Sequence, residues 1–181
     1  MSETNPAQSL RPDRARTRRD ALLLALLLAL FFGFGLGSRA LWHPDEGRYS
    51  EIPRAMVASG DYVTPRLNGV KYFEKPALFY WMQAGSIKLF GVNEWALRLW
   101  PALLALLGCL AVYGAGRKLF GRRAGLIAAI VLATSPLYYL LARIITLDMA
   151  VSVLLTGALL SFLLGVREPP GRTRSLYLYA F

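Results

Sequence analysis

The chain has 181 residues, of which 55% are hydrophobic and only 18% charged, and a soluble domain of this length usually carries more charge. The net charge of +10 would suit nucleic acid, but the basic residues cluster beside apolar runs and form no nucleic-acid-binding motif, so no nucleic acid partner is expected. The single cysteine, Cys109, lies in an apolar run, which excludes a disulfide framework and a metal–thiolate cluster. The composition favours an all-α, polytopic transmembrane protein.

The first apolar segment, residues 21–41, follows a polar tail, residues 1–20, that carries five arginines. At ~1.5 Å per residue this segment is long enough for a hydrocarbon core of ~30 Å. A cleaved signal peptide shares the basic start, but the run exceeds a usual signal core and residues 39–42 (RALW) are a poor cleavage site. We therefore predict a first transmembrane helix that follows a cytoplasmic tail.

Residues 42–93 are predicted to form an extracytoplasmic loop that contains interfacial helices. Between His43 and Pro76 the loop holds five acidic and five basic residues, with aromatic residues among them. A flexible linker would instead be rich in Gly and Ser and poor in Tyr, Ile and Phe. The pattern indicates a polar site, and we expect this loop to carry the chemistry of the protein.

Local signals predict helices in the first half of this loop. Pro44 suits the first turn of a helix, where Asp45 and Glu46 would meet the positive end of the helix dipole. Pro53 should divide the helix into two short pieces, and Gly60 should end it. An amphipathic interfacial helix with capping acids and surface ion pairs would explain the same residues without any chemistry.

The loop ends in an apolar segment, residues 77–90, that is short for a span and is therefore predicted to lie at the outer interface. A second transmembrane helix follows over residues 94–116, where Glu94 and Arg98 have the spacing of a helix-surface ion pair. The remaining predicted segments are a cytoplasmic loop (117–123), a third transmembrane helix with its outer turn (124–145), a fourth (146–166), a second cytoplasmic loop (167–175) and the start of a fifth helix (176–181). We interpret the sequence as the N-terminal fragment of a longer membrane protein, because its last apolar run has only begun.

The distribution of basic residues supports this layout. The three segments predicted inside, residues 1–20, 117–123 and 167–175, hold twelve of the 21 Lys and Arg residues but only four of the 11 acidic ones. The rest of the chain is almost neutral, which is the asymmetry of the positive-inside rule. Counting residues 77–90 as a further span would reverse the assignment of residues 117–123, so we reject it.

Two further groups of residues stand out as candidate site residues. Lys75 precedes Pro76 where the chain re-enters apolar surroundings, and a lysine at headgroup depth suits a lipid phosphate as well as it suits simple snorkelling. Arg143 and Asp148 flank the outer junction between the third and fourth spans, on the same side as Asp45. Thr146 or Asp148 could equally cap the fourth helix. An ionisable residue at this depth is nevertheless a functional candidate, and Asp45 and Asp148 could meet in one cavity.

Three blocks of the loop resemble a known family. Residues 41–49 (LWHPDEGRY), 58–62 (ASGDY) and 72–76 (YFEKP) look like the first-loop signatures of bacterial lipid A aminoarabinose transferases. These are membrane glycosyltransferases of the GT-C type, related to the protein O-mannosyltransferases. The resemblance extends from about Leu41 into the fourth span. It departs at His43, where relatives carry Gln.

The resemblance implies an inverting transfer of a sugar from an undecaprenyl-phosphate donor to a lipid A-type or other envelope acceptor, on the periplasmic side of the inner membrane. It implies catalytic roles for Asp45 and Asp148 and places donor-phosphate contacts at Lys75 and Tyr72. The site residues expected to bind substrate are Arg48, Tyr72, Lys75, Glu46 and Arg143. No cofactor is certain, although Glu74 matches a position that can help to bind a divalent metal, with partner ligands expected beyond residue 181.

The residues suit this chemistry. Departure of a polyprenyl phosphate needs cations, which Lys75 and Arg48 could supply, and a hydroxyl acceptor needs a base, for which Asp45 is best placed. A phosphate acceptor is already ionised, and Asp45 would then orient groups or stabilise positive charge on the sugar. A transporter or flippase that binds lipid phosphates is the alternative, but it would place polar residues near the membrane midplane. A scaffold whose loop binds a partner also fits the sequence.

Overall fold

The computed structural model describes residues 14–181, and most of the described chain is helical, as predicted. Residues 1–13 of the predicted cytoplasmic tail lie outside the described residues, and the tail is helical from Arg14 onward. The elements are α1 Arg14–Gly33, α2 Asp45–Ser59, β1 Arg66–Leu67, β2 Val70–Lys71, α3 Leu78–Phe90, α4 Glu94–Phe120, α5 Arg122–Thr134, α6 Pro136–Leu141, α7 Asp148–Arg167 and α8 Arg172–Ala180.

Helix α4 is the centre of the packing, since α1, α3, α5, α6 and α7 all contact it. Helix α2 packs on α3 and so joins the polar loop to this bundle. Within residues 14–181, α4 and α7 are the two helices that are long and apolar enough, by length and composition, to cross a membrane. The core of the fold therefore lies along α4, with the polar loop at its N-terminal end.

Helix α1 ends at Gly33, whereas the first apolar segment of the sequence continues to residue 41. Beyond Gly33 the chain makes turns, and Gly35 adopts a left-handed φ of 63°. The carbonyl groups of Leu36, Arg39 and Ala40 accept hydrogen bonds from the Arg98 guanidinium instead of from helical N–H groups. A side chain from α4 thus replaces the helical hydrogen bonds of this segment.

Helix α2 is continuous through Pro53, so the predicted division into two pieces is wrong. Proline removes one helical hydrogen bond, but tertiary packing compensates for it, because Ile52, Pro53 and Met56 are fully buried. The predicted end of the helix is confirmed. Gly60 takes a left-handed φ of 74°, and its N–H donates to the Met56 carbonyl over 2.9 Å.

A two-residue turn, Asn68–Gly69, joins β1 to β2 in an antiparallel hairpin. Both turn residues have positive φ, 51° for Asn68 and 81° for Gly69, which is the geometry that Asn-Gly favours. The hairpin was not predicted from the sequence, although this dipeptide is a strong signal for it. The Tyr72 N–H donates to the Pro65 carbonyl, which closes the base of the hairpin and fixes where Tyr72 lies.

The segment predicted as the third transmembrane helix consists of two helices, α5 and α6, separated at Ser135. Proline disfavours a helical conformation in the residue before it, and Ser135 is accordingly extended, with ψ of 124°. Helix α6 is held against α4 by the Tyr138 hydroxyl, which donates to the Ala105 carbonyl over 2.8 Å. The chain therefore bends at Ser135 but remains packed on α4.

An ion pair at the other end of the bundle joins α1 to α5. The Asp20 carboxylate is buried and accepts hydrogen bonds from the Arg122 guanidinium over 2.5 and 3.0 Å. Nearby, α4 and α5 approach at two glycines. A Cβ on Gly116 would lie 3.0 Å from the Gly125 Cα, and a Cβ on Gly125 would lie 2.6 Å from backbone atoms of α4.

We predict that Gly125→Ala lowers the free energy of unfolding by roughly 1–3 kcal/mol, because the added methyl group meets backbone that cannot move aside. The measurement is thermal unfolding of the purified protein in detergent. Gly114→Ala is the matched control on α4, since an added Cβ there has nothing within 4 Å, and alanine favours a helix by ~1 kcal/mol. Equal unfolding temperatures for the two variants would show that α4 and α5 do not pack as described.

Candidate functional site

A buried ion pair between Glu46 and Arg98 lies beneath the polar loop. Glu46 is 3% exposed and Arg98 is 2% exposed. The two side chains make paired hydrogen bonds, from Arg98 Nε to Glu46 Oε1 over 2.8 Å and from Arg98 Nη2 to Oε2 over 2.7 Å. Two parallel bonds of this kind are the strongest arrangement that Arg and a carboxylate can form.

Both side chains also form hydrogen bonds with backbone groups. Glu46 accepts from the N–H of Trp42 over 2.7 Å and from the N–H of Ile145 over 3.0 Å. Arg98 donates to the three carbonyls that follow α1. The pair therefore ties together the end of α1, the start of α2, the first turns of α4 and the turn before α7.

The pKa of Glu46 reflects these contacts. Burial raises the pKa, but hydrogen bonds from Arg98, Trp42 and Ile145 together hold it below the usual value for a glutamate. The carboxylate is therefore ionised at neutral pH. Its stabilising contribution is complete above the pKa of the unfolded chain and is lost as pH falls through the lower folded pKa.

These contacts correct two expectations. Arg98 does not form a surface pair with Glu94, because its side chain is buried and points to Glu46. Glu46 was expected to bind substrate, but its carboxylate oxygens are occupied by Arg98 and by two backbone N–H groups. We interpret Glu46 as the anchor of the loop. An arginine within an otherwise apolar helix was the signal in the sequence, although it does not identify a partner 52 residues away.

A cavity of about 310 Å³ opens beside this ion pair. Asp45 lines it and is exposed, since Asp45 and Glu46 are adjacent on α2 and point in different directions. Asp45 makes no side-chain cap to the helix, and Pro44 occupies the N-cap position. The other residues of the lining are Trp42, His43, Pro44, Glu46, Leu140, Ile144 and Thr146.

The two residues considered as caps of the fourth helix lie differently with respect to this cavity. The Thr146 hydroxyl is buried, lines the cavity and has no hydrogen-bond partner among the described residues. Asp148 lies in the first turn of α7, is exposed and does not line the cavity. The residue at the N-cap is Leu147, so neither side chain caps α7. Thr146, and not Asp148, therefore shares a cavity with Asp45.

A chain of polar contacts extends from Asp45 across the loop. The Tyr72 hydroxyl donates to Glu74 Oε2 over 3.0 Å, and the Arg48 guanidinium interacts electrostatically with Tyr72. The pKa of Arg48 is raised, mainly by this interaction with Tyr72 and further by the charge of Asp45. The structure thus brings together Asp45, Arg48, Tyr72 and Glu74, four residues singled out in the sequence.

Lys75 and Arg143 are placed outside that chain. Lys75 is exposed and makes no hydrogen bond or ion pair with any residue of the described range 14–181. Arg143 donates to the Phe32 carbonyl over 3.2 Å, and its guanidinium lies 5.5 Å from the centre of the Tyr139 ring. It ties the turn before α7 to the end of α1 and does not line the cavity.

The metal role considered for Glu74 depends on partner ligands that were expected beyond residue 181. Among the described residues, no three His, Cys, Asp or Glu side chains lie together in a way that could hold a metal ion. Glu74 is exposed, and its polar contact is with the Tyr72 hydroxyl. Within residues 14–181, Glu74 thus contacts Tyr72, and its role at a metal stays a prediction.

Comparison with known proteins identifies relatives over most of the chain. Residues 74–181 match the model of the dolichyl-phosphate-mannose-protein mannosyltransferase family. Undecaprenyl phosphate-alpha-4-amino-4-deoxy-L-arabinose arabinosyl transferases are 37% identical over 153 residues in Edwardsiella ictaluri and 38% identical over 151 residues in Erwinia tasmaniensis. These alignments cover 84% and 83% of this chain but 28% and 27% of the relatives. The chain thus spans little more than a quarter of their length.

A solved structure is similar as well. The crystal structure of ArnT from Cupriavidus metallidurans bound to undecaprenyl phosphate superposes with a TM-score of 0.82 at 37% sequence identity. The superposition covers 88% of this chain and 30% of that one. At this level of identity the similarity extends to the family as well as to the fold.

We predict that Glu46→Gln destabilises the protein by roughly 3–5 kcal/mol, because it leaves the Arg98 charge buried without a counter-charge. Glu51→Gln is the matched control, since Glu51 lies on the same helix and pairs with Arg54 at the surface, where a pair is worth ~0–1 kcal/mol. Thermal unfolding in detergent measures both. A Glu46→Gln variant as stable as Glu51→Gln would contradict the anchor.

Proposed function

The chain belongs to the dolichyl-phosphate-mannose-protein mannosyltransferase family, and we propose that the protein moves an aminoarabinose-type sugar from an undecaprenyl-phosphate donor to a lipid A-type acceptor. The family resemblance predicted from the loop is thereby confirmed. The observation that carries the proposed reaction is the cavity of about 310 Å³ that Asp45 lines. The arabinosyl transferases and the undecaprenyl phosphate complex named above support the choice of donor.

We place the bundle in the bacterial inner membrane. Large apolar side chains are exposed along α1, α5 and α7, and a soluble protein rarely exposes continuous apolar surface on this scale. Lipid would cover these faces. The proposed spans are α1, α4, α5 with α6, and α7, and the proposed interfacial helices are α2 and α3. The basic residues near the opposite ends of the spans favour a cytoplasmic N-terminus and a periplasmic loop.

The proposed donor site lies at the membrane surface. The Arg48 guanidinium interacts electrostatically with Tyr72 and Asp45, and Lys75 lies beside Pro76, shortly before the apolar α3. These two cations suit the phosphate of a lipid-linked sugar, with its polyprenyl chain in the bilayer. Their position also explains why a soluble enzyme would not serve, since the donor cannot leave the membrane.

The proposed reaction is a single displacement at the anomeric carbon. An acceptor oxygen forms a bond to this carbon as the bond to the donor phosphate oxygen breaks, which inverts the configuration. Undecaprenyl phosphate leaves with the electron pair, and Arg48 and Lys75 stabilise its charge. A phosphate acceptor brings its own negative oxygen and needs no base, so Asp45 would instead orient groups or stabilise positive charge on the sugar ring. With a hydroxyl acceptor, Asp45 would take the proton.

The proposed topology can be tested by single-cysteine labelling in a Cys109→Ala background. Ser59 and Ser175 are both exposed, at the end of α2 and in α8. We expect a membrane-impermeant thiol reagent to modify Ser59→Cys in intact spheroplasts and to leave Ser175→Cys unmodified. Lysed membranes are the control, because both cysteines should then react. Labelling of Ser175→Cys alone in intact spheroplasts would invert the topology.

We predict that Asp45→Asn lowers the turnover of the full-length enzyme by ~10²-fold or more, because it removes a charge that the transition state needs. The change should leave the fold intact, since Asp45 is exposed and does not cap its helix. The assay follows transfer from an undecaprenyl-phosphate sugar.

The control is Asp61→Asn, which removes a carboxylate of the same loop. The Asp61 oxygen accepts the N–H groups of Val63 and Thr64, and an asparagine oxygen can accept them too. Near-normal turnover by Asp45→Asn, at normal expression and unfolding temperature, would remove Asp45 from the catalytic machinery.

A further inference from the structure

A second, larger cavity of about 1010 Å³ lies at the opposite end of α4 from Asp45. Arg98 and Arg117 mark the two ends, and 19 residues at ~1.5 Å each separate them by about 28 Å along the helix. That distance is close to the thickness of a hydrocarbon core, ~30 Å. The two cavities therefore lie at opposite surfaces of the membrane in the proposed placement.

The wall of this cavity is basic at one side and apolar at the other. Among residues 14–181, four cationic side chains and no carboxylate line it. The cations are Arg16, Arg117, Lys118 and Arg122. Two of them form ion pairs with residues outside the lining, Arg122 with Asp20 and Lys118 with Glu168. Arg117 forms no ion pair within the described part of the chain, so its positive charge is available at the wall.

Small and apolar residues of two helices form the other side of the cavity. Gly114 and Ala115 belong to α4, and Gly157, Leu160 and Leu164 belong to α7. The space beside the glycines is open, because a Cβ added at Gly114 or Gly157 would have nothing within 4 Å. The result is a space with a cationic rim and an apolar interior between two helices that we place in the bilayer.

We propose that this cavity binds an anionic phospholipid of the inner leaflet, with its phosphodiester at Arg117 and an acyl chain between α4 and α7. Basic pockets between transmembrane helices on the cytoplasmic side suit such headgroups. A free phosphate would satisfy the cations but would leave the apolar wall without a partner. The inference depends on the proposed membrane placement and is independent of the transfer reaction at Asp45.

The test is native mass spectrometry of the purified full-length protein in detergent, with phosphatidylglycerol or phosphatidylcholine added. We expect the wild type to retain phosphatidylglycerol preferentially. Arg117→Gln should reduce this retention about fivefold, which corresponds to ~1 kcal/mol for one cation near the headgroup. Gly157→Leu should reduce it as well, by filling the apolar space without a change of charge.

Arg123→Gln is the matched control, because Arg123 carries the same charge beside Arg122 on α5 but does not line the cavity. It should retain phosphatidylglycerol like the wild type. Glycerol 1-phosphate at the same concentration should not displace the lipid. Equal retention of the two lipids, an equal loss in Arg123→Gln, or displacement by glycerol 1-phosphate would each overturn the proposal.

Two further measurements keep this result separate from other effects. Unchanged elution in size-exclusion chromatography shows that a variant is folded. If Arg117→Gln fails that criterion, Gly157→Leu decides: full retention of phosphatidylglycerol by Gly157→Leu would overturn the proposal. Transfer activity is measured in parallel, so that loss of the reaction with normal lipid retention refutes the proposed function alone.

Discussion

The contact between Glu46 and Arg98 is the constraint on which the outer half of the structure depends. Burial of two charges carries a desolvation cost that attraction alone rarely offsets, so such a pair is stable only when its remaining hydrogen-bonding groups are also satisfied. Here the backbone satisfies them, through the N–H groups of Trp42 and Ile145 and the carbonyls that follow α1. These hydrogen bonds hold the loop in one position relative to α4.

This rigidity positions the chemistry. Asp45 is adjacent to Glu46, and Arg48 lies about one helical turn after Asp45 on α2. Because Glu46 fixes the position of the helix, it also fixes the directions in which Asp45 and Arg48 point. The hairpin at Asn68–Gly69 then carries Tyr72 back to Arg48. The polar groups of the candidate site are therefore held by short elements that are tied to α4.

The sequence predicted the structural features that depend on residues close together in the chain. Gly60 ends α2, and Asp148–Arg167 is one helix, because capping glycines and apolar periodicity act within a few residues. The role of Arg98 could not be predicted in this way, because its partner is distant in sequence. The continuity of α2 through Pro53 has the same cause, since burial of that helix depends on residues elsewhere in the chain. For the candidate site, the sequence singled out Arg48, Tyr72 and Glu74 separately, but it predicted neither the Tyr72–Glu74 contact nor the different roles of Asp45 and Glu46.

The different roles of Asp45 and Glu46 depend on the length of the segment that precedes α2. Successive residues of a helix point ~100° apart, so only the spacing from Trp42 to α2 decides which carboxylate turns inward to Arg98 and which turns towards the cavity. Insertion of a single residue between Trp42 and Asp45 would bring Asp45 to the position that faces the arginine, with a side chain one methylene shorter, and would turn Glu46 away from it. We therefore expect an insertion or deletion in this segment to disturb the site more than a substitution does. The number of residues between Trp42 and α2 is thus as much a part of the site as any of its side chains.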